Sequence, residues 1–395
     1  MSDERVVELY ERRSMSMEKQ GVVGGGSGRG ERLMSLDALR VFDMFWILGG
    51  DSIGHALGHA HTAGLLSVLA LQLDHVAWRG FRFYDLIFPM FVFIIGVSLV
   101  FSLSKIREAG GRGAAVRRII RRTVLLYVLG ILYYGGWKDG WESVRLLGVL
   151  QRLALCYGAT AMLFLYFRPR GLVIWCVGIL LGYWALMALV PVPGVGAGNF
   201  EEGANLANWI DAQYLPGRKW DGDHDPEGLL STLPAIASCL LGVFAGLALR
   251  DGKRSGQGKA VLLAVVGVLA VAAGFLWGLH FPVIKKLWTS SYVLVAGGFS
   301  AMFLAFFYWL IDVRGWRRWA QPFVWVGLNP ITIYLLGNVL QFDDVAARVL
   351  GGPVGEMVDA SVGAGWGEVA ISVTGMLLAV GVCWFLHRKR VYIRL

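Results

Sequence analysis

The sequence predicts an all-α protein, a polytopic membrane helical bundle of about ten transmembrane helices with both termini in the cytosol. The chain of 395 residues is 56% hydrophobic and only 16% charged, whereas a soluble chain carries about 25% charged residues. Uncharged runs recur along it, and the run over residues 86–101 approaches the roughly 20 apolar residues that a spanning helix requires. Both observations indicate a membrane protein.

Ten hydrophobic segments are predicted to span the membrane, at about residues 37–54, 84–103, 119–136, 146–167, 171–191, 229–249, 260–280, 289–311, 323–341 and 367–387. Their orientation follows from the basic residues, because cytosolic loops carry an excess of Lys and Arg. With a cytosolic N-terminus, 27 of the 37 Lys and Arg fall on the cytosolic side. An N-in, C-in topology is therefore expected, with outer loops at about residues 55–83, 192–228 and 342–366.

The remaining composition excludes several classes of protein. The net charge of +9 comes from the cytosolic loops, so it is a topology signal and no nucleic acid is expected as a partner. All four cysteines lie within hydrophobic runs, which favours apolar packing over disulfides. His55, His59 and His61 have no Cys or acidic partner in their Gly- and Ala-rich setting, so no metal is expected. Residues 1–31 predict a flexible cytosolic tail, and residues 32–395 a single transmembrane domain.

One histidine and two aspartates stand at the outer edge of the first two predicted spans. Ionisable groups at such positions are functional candidates, and a His beside an Asp can abstract a proton near neutral pH. We therefore assign His75, Asp51 and Asp85 as catalytic candidates. Simpler alternatives stay open: His75 as a solvated loop residue, Asp51 as a helix end, and Asp85 as a helix cap or as the partner of Arg79 or Arg82.

Charged residues also enter the outer halves of the fourth and sixth predicted spans. Arg145 and Arg152 are seven residues apart and are expected to share a helix face. A buried guanidinium needs an acid or an anionic ligand, and the candidate partners of Arg152 are Asp51, Asp85 and Glu227. The acids of DGDHDPEG, among them Asp225 and Glu227, either favour the first turn of a helix or bind a cationic amine.

On the cytosolic side, four arginines precede the third span, at positions 117, 118, 121 and 122. Such a cluster contacts lipid headgroups or holds the phosphates of a nucleotide-like donor. Asp37 and Arg40 begin the first span, as a helix cap and an inner anchor or as part of the same donor site. In the ninth span, Asn329, Pro330 and Tyr334 predict a polar kink, either structural or lining a tunnel.

Six segments taken together resemble the heparan-α-glucosaminide N-acetyltransferase family. They are RLMSLDALRVFDMF, DHVAWRGFRFYDLIFPMFVFIIGVSL, VRLLGVLQRLALCY, DPEGLLSTLPAI, LWTSSYVL and GLNPITIYLL, and they extend from about residue 32 toward the C-terminus. In this resemblance the family's active-site His falls on His75, and its Asp before Phe-Pro falls on Asp85. A polar residue that is Asn in the lysosomal enzyme falls on Asp51. The positions of Arg122, Arg145, Arg152 and Glu227 match as well.

The resemblance implies a reaction, in which acetyl passes from cytosolic acetyl-CoA to an amino sugar across the membrane. The residues assigned to acetyl-CoA are Arg40, Arg118, Arg122, Gln151, Arg152, Asn329 and Tyr334, and those assigned to the acceptor are Arg145, Asp225 and Glu227. His75 is then a general base or a transient carrier of the acetyl group. The resemblance also implies a homodimer in a bacterial inner membrane. A transporter of amino sugars or muropeptide fragments is the alternative from another class, and a lipid-modifying acyltransferase is a third.

Overall fold

A computed structural model describes residues 33–60, 64–108, 111–316 and 330–389. In these ranges the regular secondary structure is helical, and two isolated β-bridges occur outside the helices. The residues from 33 onward form one compact unit. The predicted tail over residues 1–31 and the first part of the predicted ninth span lie outside the described residues.

Thirteen α-helices occur in the described part of the chain. They are α1 (Met34–His59), α2 (Leu65–Leu73), α3 (Ile87–Glu108), α4 (Arg112–Tyr133), α5 (Val149–Tyr166), α6 (Pro169–Leu189), α7 (Leu206–Tyr214), α8 (Thr232–Arg250), α9 (Gly256–Trp277), α10 (Ser290–Phe307), α11 (Pro330–Leu340), α12 (Phe342–Val362) and α13 (Trp366–Arg388). Short 3-10 turns precede α3 and α5, and a π-helical turn over Tyr308–Val313 continues α10.

Seven helical segments of the described residues are long and apolar enough to cross a membrane. They are Phe83–Ser104, Val149–Tyr166, Pro169–Leu189, Thr232–Arg250, Gly256–Trp277, Ser290–Val313 and Trp366–Leu386, and each falls on a predicted span. Two further predicted spans correspond to α1 and α4, which have 26 and 22 residues but contain more charged side chains. The chain is a multi-pass membrane protein.

The centre of the bundle depends on close approach of backbones. α3 packs against α8 through Gly96 and Gly242, and a Cβ atom at either position would overlap the carbonyl oxygen of Cys239 or Phe93 on the facing helix. α9 and α10 cross in the same way at Gly267. Small residues allow membrane helices to gain dispersion energy and backbone contact at short range. The fold therefore places α3 and α8, which lead into the candidate site, in a fixed relation.

One local prediction is wrong, and the predicted outer loop over residues 342–366 contains a helix. Most of these residues form α12. Its first turn carries Asp343 and Asp344, which complement the positive end of the helix dipole. Asp37 does not cap α1, because the helix begins at Met34 after Leu33. Asp37 lies in the first turn and pairs with Arg40 at 3.1 Å.

Candidate active site

His75 and Asp85 form a hydrogen-bonded pair where the chain enters α3. Nδ1 of His75 lies 2.8 Å from Oδ1 of Asp85, and Oδ2 of Asp85 accepts from the backbone N–H groups of Val76 and Arg82. Because a carboxylate can only accept, we assign the proton of the pair to Nδ1 of His75. Nε2 then keeps the lone pair that a general base requires. Asp85 is buried, whereas the His75 side chain is 44% exposed.

Lys285 is in contact with both members of this pair. Its Nζ lies 2.9 Å from Nδ1 and 3.2 Å from Nε2 of His75, and 3.4 Å from Oδ1 of Asp85. Burial lowers the pKa of Lys285, and the Asp85 carboxylate offsets this only in part. A lysine whose pKa is lowered in this way gives up its proton more readily than an exposed lysine does. The site therefore brings an imidazole and an amine, two groups that can carry protons, into contact.

Backbone contacts between loops bring these residues together. The N–H of Gly80 donates to the carbonyl of Val283 at 2.9 Å, and an isolated β-bridge joins Arg79 to Ile284. Gly80 has a φ of 126°, a conformation that side chains disfavour. Trp78 donates its indole N–H to the carbonyl of Phe200 at 2.9 Å. As a result, segments near residues 78, 200 and 284 meet around His75.

A cavity of about 910 Å³ opens beside His75 and Lys285. We call it the main cavity, and its lining includes His75, Tyr134, Arg145, Trp220, Glu227 and Lys285. The volume lies within the range of small-molecule sites, which combine aromatic walls with a few polar groups. The imidazole of His75 is therefore next to a space that can hold a substrate.

A buried ion pair contributes to the lining of this cavity. Arg145 donates through Nε and Nη2 to both carboxylate oxygens of Asp225, at 2.9 and 2.7 Å, and through Nη2 to Glu227 at 2.7 Å. Its guanidinium also lies over the rings of Tyr134 and Trp220, at 4.4 and 4.9 Å from their centroids. Such a fork with stacked aromatic rings has a fixed orientation, so the Glu227 carboxylate is held in one place.

Burial also affects the acids around this pair. It raises the pKa of Glu227 above its usual range, although Arg145 and Arg152 oppose the shift. Burial likewise raises the pKa of Asp211, which accepts hydrogen bonds from the backbone N–H groups of Leu229 and Asp225 at 2.8 and 3.4 Å. Asp211 therefore fixes the loop that presents Glu227 to the main cavity.

Arg152, on α5, is fully buried. It donates to the hydroxyl of Ser231 and to the carbonyl of Gly228, and its guanidinium lies 4.9 Å from the ring centroid of Trp288. Within the described residues, Nε and Nη1 of Arg152 have no hydrogen-bond partner. A buried cation with free donors is expensive to retain, which is consistent with a role in binding an anionic or carbonyl oxygen.

Comparison with known proteins complements this geometry. No protein-family model matches the chain. Heparan-alpha-glucosaminide N-acetyltransferase from Homo sapiens is 30% identical over 335 aligned residues, covering 68% of this chain and 49% of the relative. The protein of the same name from Mus musculus is 29% identical over 331 residues with the same coverage. The chain belongs to the heparan-α-glucosaminide N-acetyltransferase family. It spans about half the length of the curated relatives it matches.

For this member of the heparan-α-glucosaminide N-acetyltransferase family, the structure gathers part of the predicted site. His75, Arg145 and Glu227 line the main cavity, and Asp85 and Asp225 hydrogen-bond to them. Asp85 caps the turn before α3, as one alternative predicted, and also contacts His75.

The arginine alternative for Asp85 is wrong. Arg79 pairs with Glu201, and Arg82 pairs with Asp74 at 3.1 Å. Each of these arginines thus has an acid from the loops as its ion-pair partner. The oxygens of the buried Asp85 carboxylate accept from His75 and from backbone N–H groups instead.

Asp51 lies on α1, in the part of the helix that precedes His55. Its carboxylate is 3.5 Å from Nε2 of His55 and about half exposed. Among the described residues, the side chains that hydrogen-bond to the His75 ring are Asp85 and Lys285. In this structure Asp85, and not Asp51, orients His75.

Two predictions about the arginines of the fourth span are also wrong. Arg145 and Arg152 do not share a helix face, because α5 begins only at Val149 and Arg145 lies in the preceding loop. The three acids predicted for Arg152 form no ion pair with it in the described part of the chain, and Glu227 pairs with Arg145 instead. Gln151 supports this loop by donating to the carbonyl of Arg145 at 3.0 Å.

The remaining predicted donor residues are distributed along the bundle. Tyr334 lines the main cavity and stacks on Tyr133 at a centroid distance of 4.6 Å. Arg40 donates to Ser98 at 2.8 Å, Arg118 is exposed, and Arg122 lies 4.7 Å from the ring centroid of Tyr157. Asn329 and His61 lie outside the described residues.

Sequence reasoning missed Lys285 and the aromatic residues Tyr134 and Trp220. A signal for Lys285 was present, because Lys285 and Lys286 directly precede the LWTSSYVL segment and are among the few basic residues on the predicted outer side. Basic residues that depart from the topological bias need another reason to be there. The rings of Tyr134 and Trp220 gave no comparable signal, since aromatic residues are frequent throughout this chain.

Proposed function

We propose that this chain is a transmembrane acetyltransferase that moves acetyl from cytosolic acetyl-CoA to the amine of a glucosamine-like amino sugar on the outer side of a bacterial inner membrane. The observation that carries the proposal is the His75–Asp85 pair, with Lys285 against it, opening on a cavity of about 910 Å³. Family membership supports acetyl transfer as the chemistry, and acetyl-CoA is the donor that the resemblance implies.

The donor would enter from the opposite end of the bundle. Arg118, Arg122 and Arg40 are the residues proposed for its phosphates. A narrow apolar crevice of about 30 Å³ between α1, α3 and α5 shares Tyr334 with the main cavity. This crevice marks the seam along which the pantetheine arm would separate the helices and bring its thioester toward His75. The topology required is the expected N-in, C-in arrangement.

The acceptor would occupy the main cavity. Tyr134 and Trp220 provide flat apolar faces for the C–H groups of a sugar ring, and Glu227 provides an acceptor for its hydroxyl or ammonium hydrogens. Arg145 fixes the position of that carboxylate. An amino sugar therefore matches both the apolar and the polar parts of the lining.

The reaction releases two protons, and the proposed site offers one base for each. A protonated primary amine loses two protons when it becomes an amide. Lys285 takes the first and leaves a neutral amine, which attacks the thioester carbonyl carbon. Nε2 of His75 takes the second as the C–N bond forms and gives it to the sulfur when the C–S bond breaks. The products are the acetamido sugar and CoA thiol, and the proton on Lys285 passes to solvent. Arg152 is proposed to stabilise the oxygen of the tetrahedral intermediate.

Proteoliposomes provide the test of this function. Labelled acetyl-CoA is placed on one side and glucosamine on the other, and acetylated sugar is measured. We expect product with the wild-type chain and a loss of about 100-fold or more in His75→Ala. His59→Ala is the matched control, because that side chain is 68% exposed and pairs with Glu368. Undiminished product in His75→Ala would refute the assignment of the base. Uptake of glucosamine without acetylation would favour the transporter alternative.

A further inference from the structure

A second group of ligating side chains lies at the rim of the main cavity. Glu202, Asp221 and His224 each present one ligand atom, and these atoms lie within 4.8 Å of one another. Nε2 of His224 is 3.8 Å from Oε1 of Glu202 and 3.7 Å from Oδ2 of Asp221. A tetrahedral ion with bonds of about 2.1 Å separates its ligand atoms by about 3.4 Å. The three atoms are therefore already close to the spacing that a metal requires.

The state of His224 points to a ligand. The residue is only 5% exposed, and its Nε2 has no hydrogen-bond partner within the described ranges. Nδ1 lies 2.6 Å from Oδ1 of Asp223, so this carboxylate holds the Nδ1 proton and directs the Nε2 lone pair toward Glu202 and Asp221. A carboxylate behind the distal nitrogen is the usual second contact of a metal-bound histidine. A buried nitrogen without a partner otherwise costs free energy.

We propose that Glu202, Asp221 and His224 bind a divalent transition-metal cation such as Zn²⁺. One imidazole and two carboxylates suit ions of this class, and three protein ligands leave a further position open. Asp221 also lines the main cavity, so that position faces the space proposed for the acceptor. A water molecule or a hydroxyl oxygen of a bound sugar is the fourth ligand expected there. The metal site itself does not depend on the proposed acetyl transfer.

Lys286 competes with such a cation. Its Nζ lies 2.8 Å from Oε1 of Glu202 and 2.9 Å from Oδ2 of Asp221. The ammonium thus holds the two carboxylates together and must leave when a metal binds. Its side chain is 32% exposed and lines the main cavity, which gives it room to move.

This competition predicts opposite effects for two substitutions. Isothermal titration with ZnCl₂ is carried out on the full chain, purified in detergent and freed of metal with a chelator. We expect one saturable site in the wild type, loss of that site in His224→Ala, and tighter binding in Lys286→Met because the competing cation is gone. Asp223→Asn is expected to weaken binding about tenfold through the orientation of His224. His280→Ala changes an exposed histidine in another loop and serves as the control.

Misfolding separates the three ligands, so tighter binding at one saturable site in a folded Lys286→Met chain keeps the test decisive even if His224→Ala is unstable. Saturable binding that is lost in His224→Ala and tightened in Lys286→Met supports the site. The assignment is overturned if neither the wild type nor Lys286→Met binds Zn²⁺ saturably. It is equally overturned if His224→Ala binds like the wild type, or if Lys286→Met binds no more tightly.

Discussion

Nδ1 of His75 lies 2.8 Å from Oδ1 of Asp85, ten residues later in the chain and at the entrance of a membrane helix. The buried carboxylate is fixed by two backbone N–H groups on its other oxygen, so it imposes one orientation on the imidazole. Nε2, which Lys285 approaches at 3.2 Å, is therefore the ring nitrogen left for proton transfer.

Exchanging the two candidate carboxylates identifies which one orients His75. We expect Asp85→Asn to lower acetyl transfer about 100-fold or more, because an amide can stabilise the wrong tautomer of the imidazole. Asp51→Asn, whose carboxylate is near His55, is expected to lower it far less. The measurement is product formation in the proteoliposome assay at saturating donor. Equal losses in both variants would contradict the structural assignment.

A comparison of acceptor amines of different basicity tests the role of Lys285. In Lys285→Met, a protonated acceptor such as glucosamine loses its first base, so we expect a fall of about 100-fold in its rate near neutral pH. A weakly basic aryl amine is already neutral there and should lose much less. The ratio of the two rates is compared between Lys285→Met and Lys286→Met, its neighbour in the same loop. If Lys285 had only a structural role, the rates with both acceptors would fall equally.

Stability should depend on pH through the same lysine. Its pKa in the folded chain is lowered from the usual 10.5, chiefly by burial. Between the folded pKa and 10.5 the unfolded chain binds the proton and the folded chain does not, so stability rises with pH in that window. We expect the Tm of the wild type relative to Lys285→Met to increase as pH rises from neutral toward 10.5. A constant Tm difference would show that the lysine is not desolvated.

The fold class could be predicted because two of its signals are local properties of a chain. These are the length of the hydrophobic runs and the uneven distribution of Lys and Arg between the loops. Sequence reasoning placed seven of its spans on helices that are long and apolar enough to cross a membrane. It missed α12, since glycines dominate the pattern there while the first-turn acids that favour the helix are a weaker signal. The unconfirmed spans α1 and α4 contain charges that composition alone cannot assign to a buried or exposed face.

The site was predictable only in part for a different reason. Asp85 and His75 are close in sequence, so their contact was within reach of a local argument. Lys285 approaches them through a β-bridge between loops more than two hundred residues apart, and no spacing in the sequence encodes that contact. The pairing of Arg145 with Asp225 and Glu227 is equally non-local. The helix-face argument for Arg145 and Arg152 failed because α5 begins only at Val149, after Arg145.

The buried ion pair at Arg145 should be costly to break. Arg145→Met leaves Asp225 and Glu227 without their cation in a buried site, and we expect a loss of about 3–5 kcal/mol in stability. Arg79→Met is the control, because its pair with Glu201 is about half exposed and such pairs contribute about 0–1 kcal/mol. Thermal unfolding of both variants in detergent measures the difference. Similar small shifts would mean that the Arg145 pair is better solvated than its burial indicates.

Helix packing gives a prediction independent of the active site. Gly96→Ala would place a methyl group against the carbonyl of Cys239 on α8, and we expect a cost of about 1–3 kcal/mol from this overpacking. At Gly178, on α6, a Cβ atom meets nothing within 4 Å, so Gly178→Ala should be neutral or slightly stabilising. Tm values of the two variants check this. A stable Gly96→Ala chain would show that α3 and α8 can separate without loss.

Lys285 and Lys286 are consecutive, yet one contacts the histidine and the other the acids at the rim. A single peptide plane therefore connects the two. A zinc ion that displaces the second ammonium from its carboxylates therefore changes the charge next to the first amine. Turnover should for that reason respond to zinc even though no zinc ligand touches the imidazole, and the response should vanish when His224 is replaced.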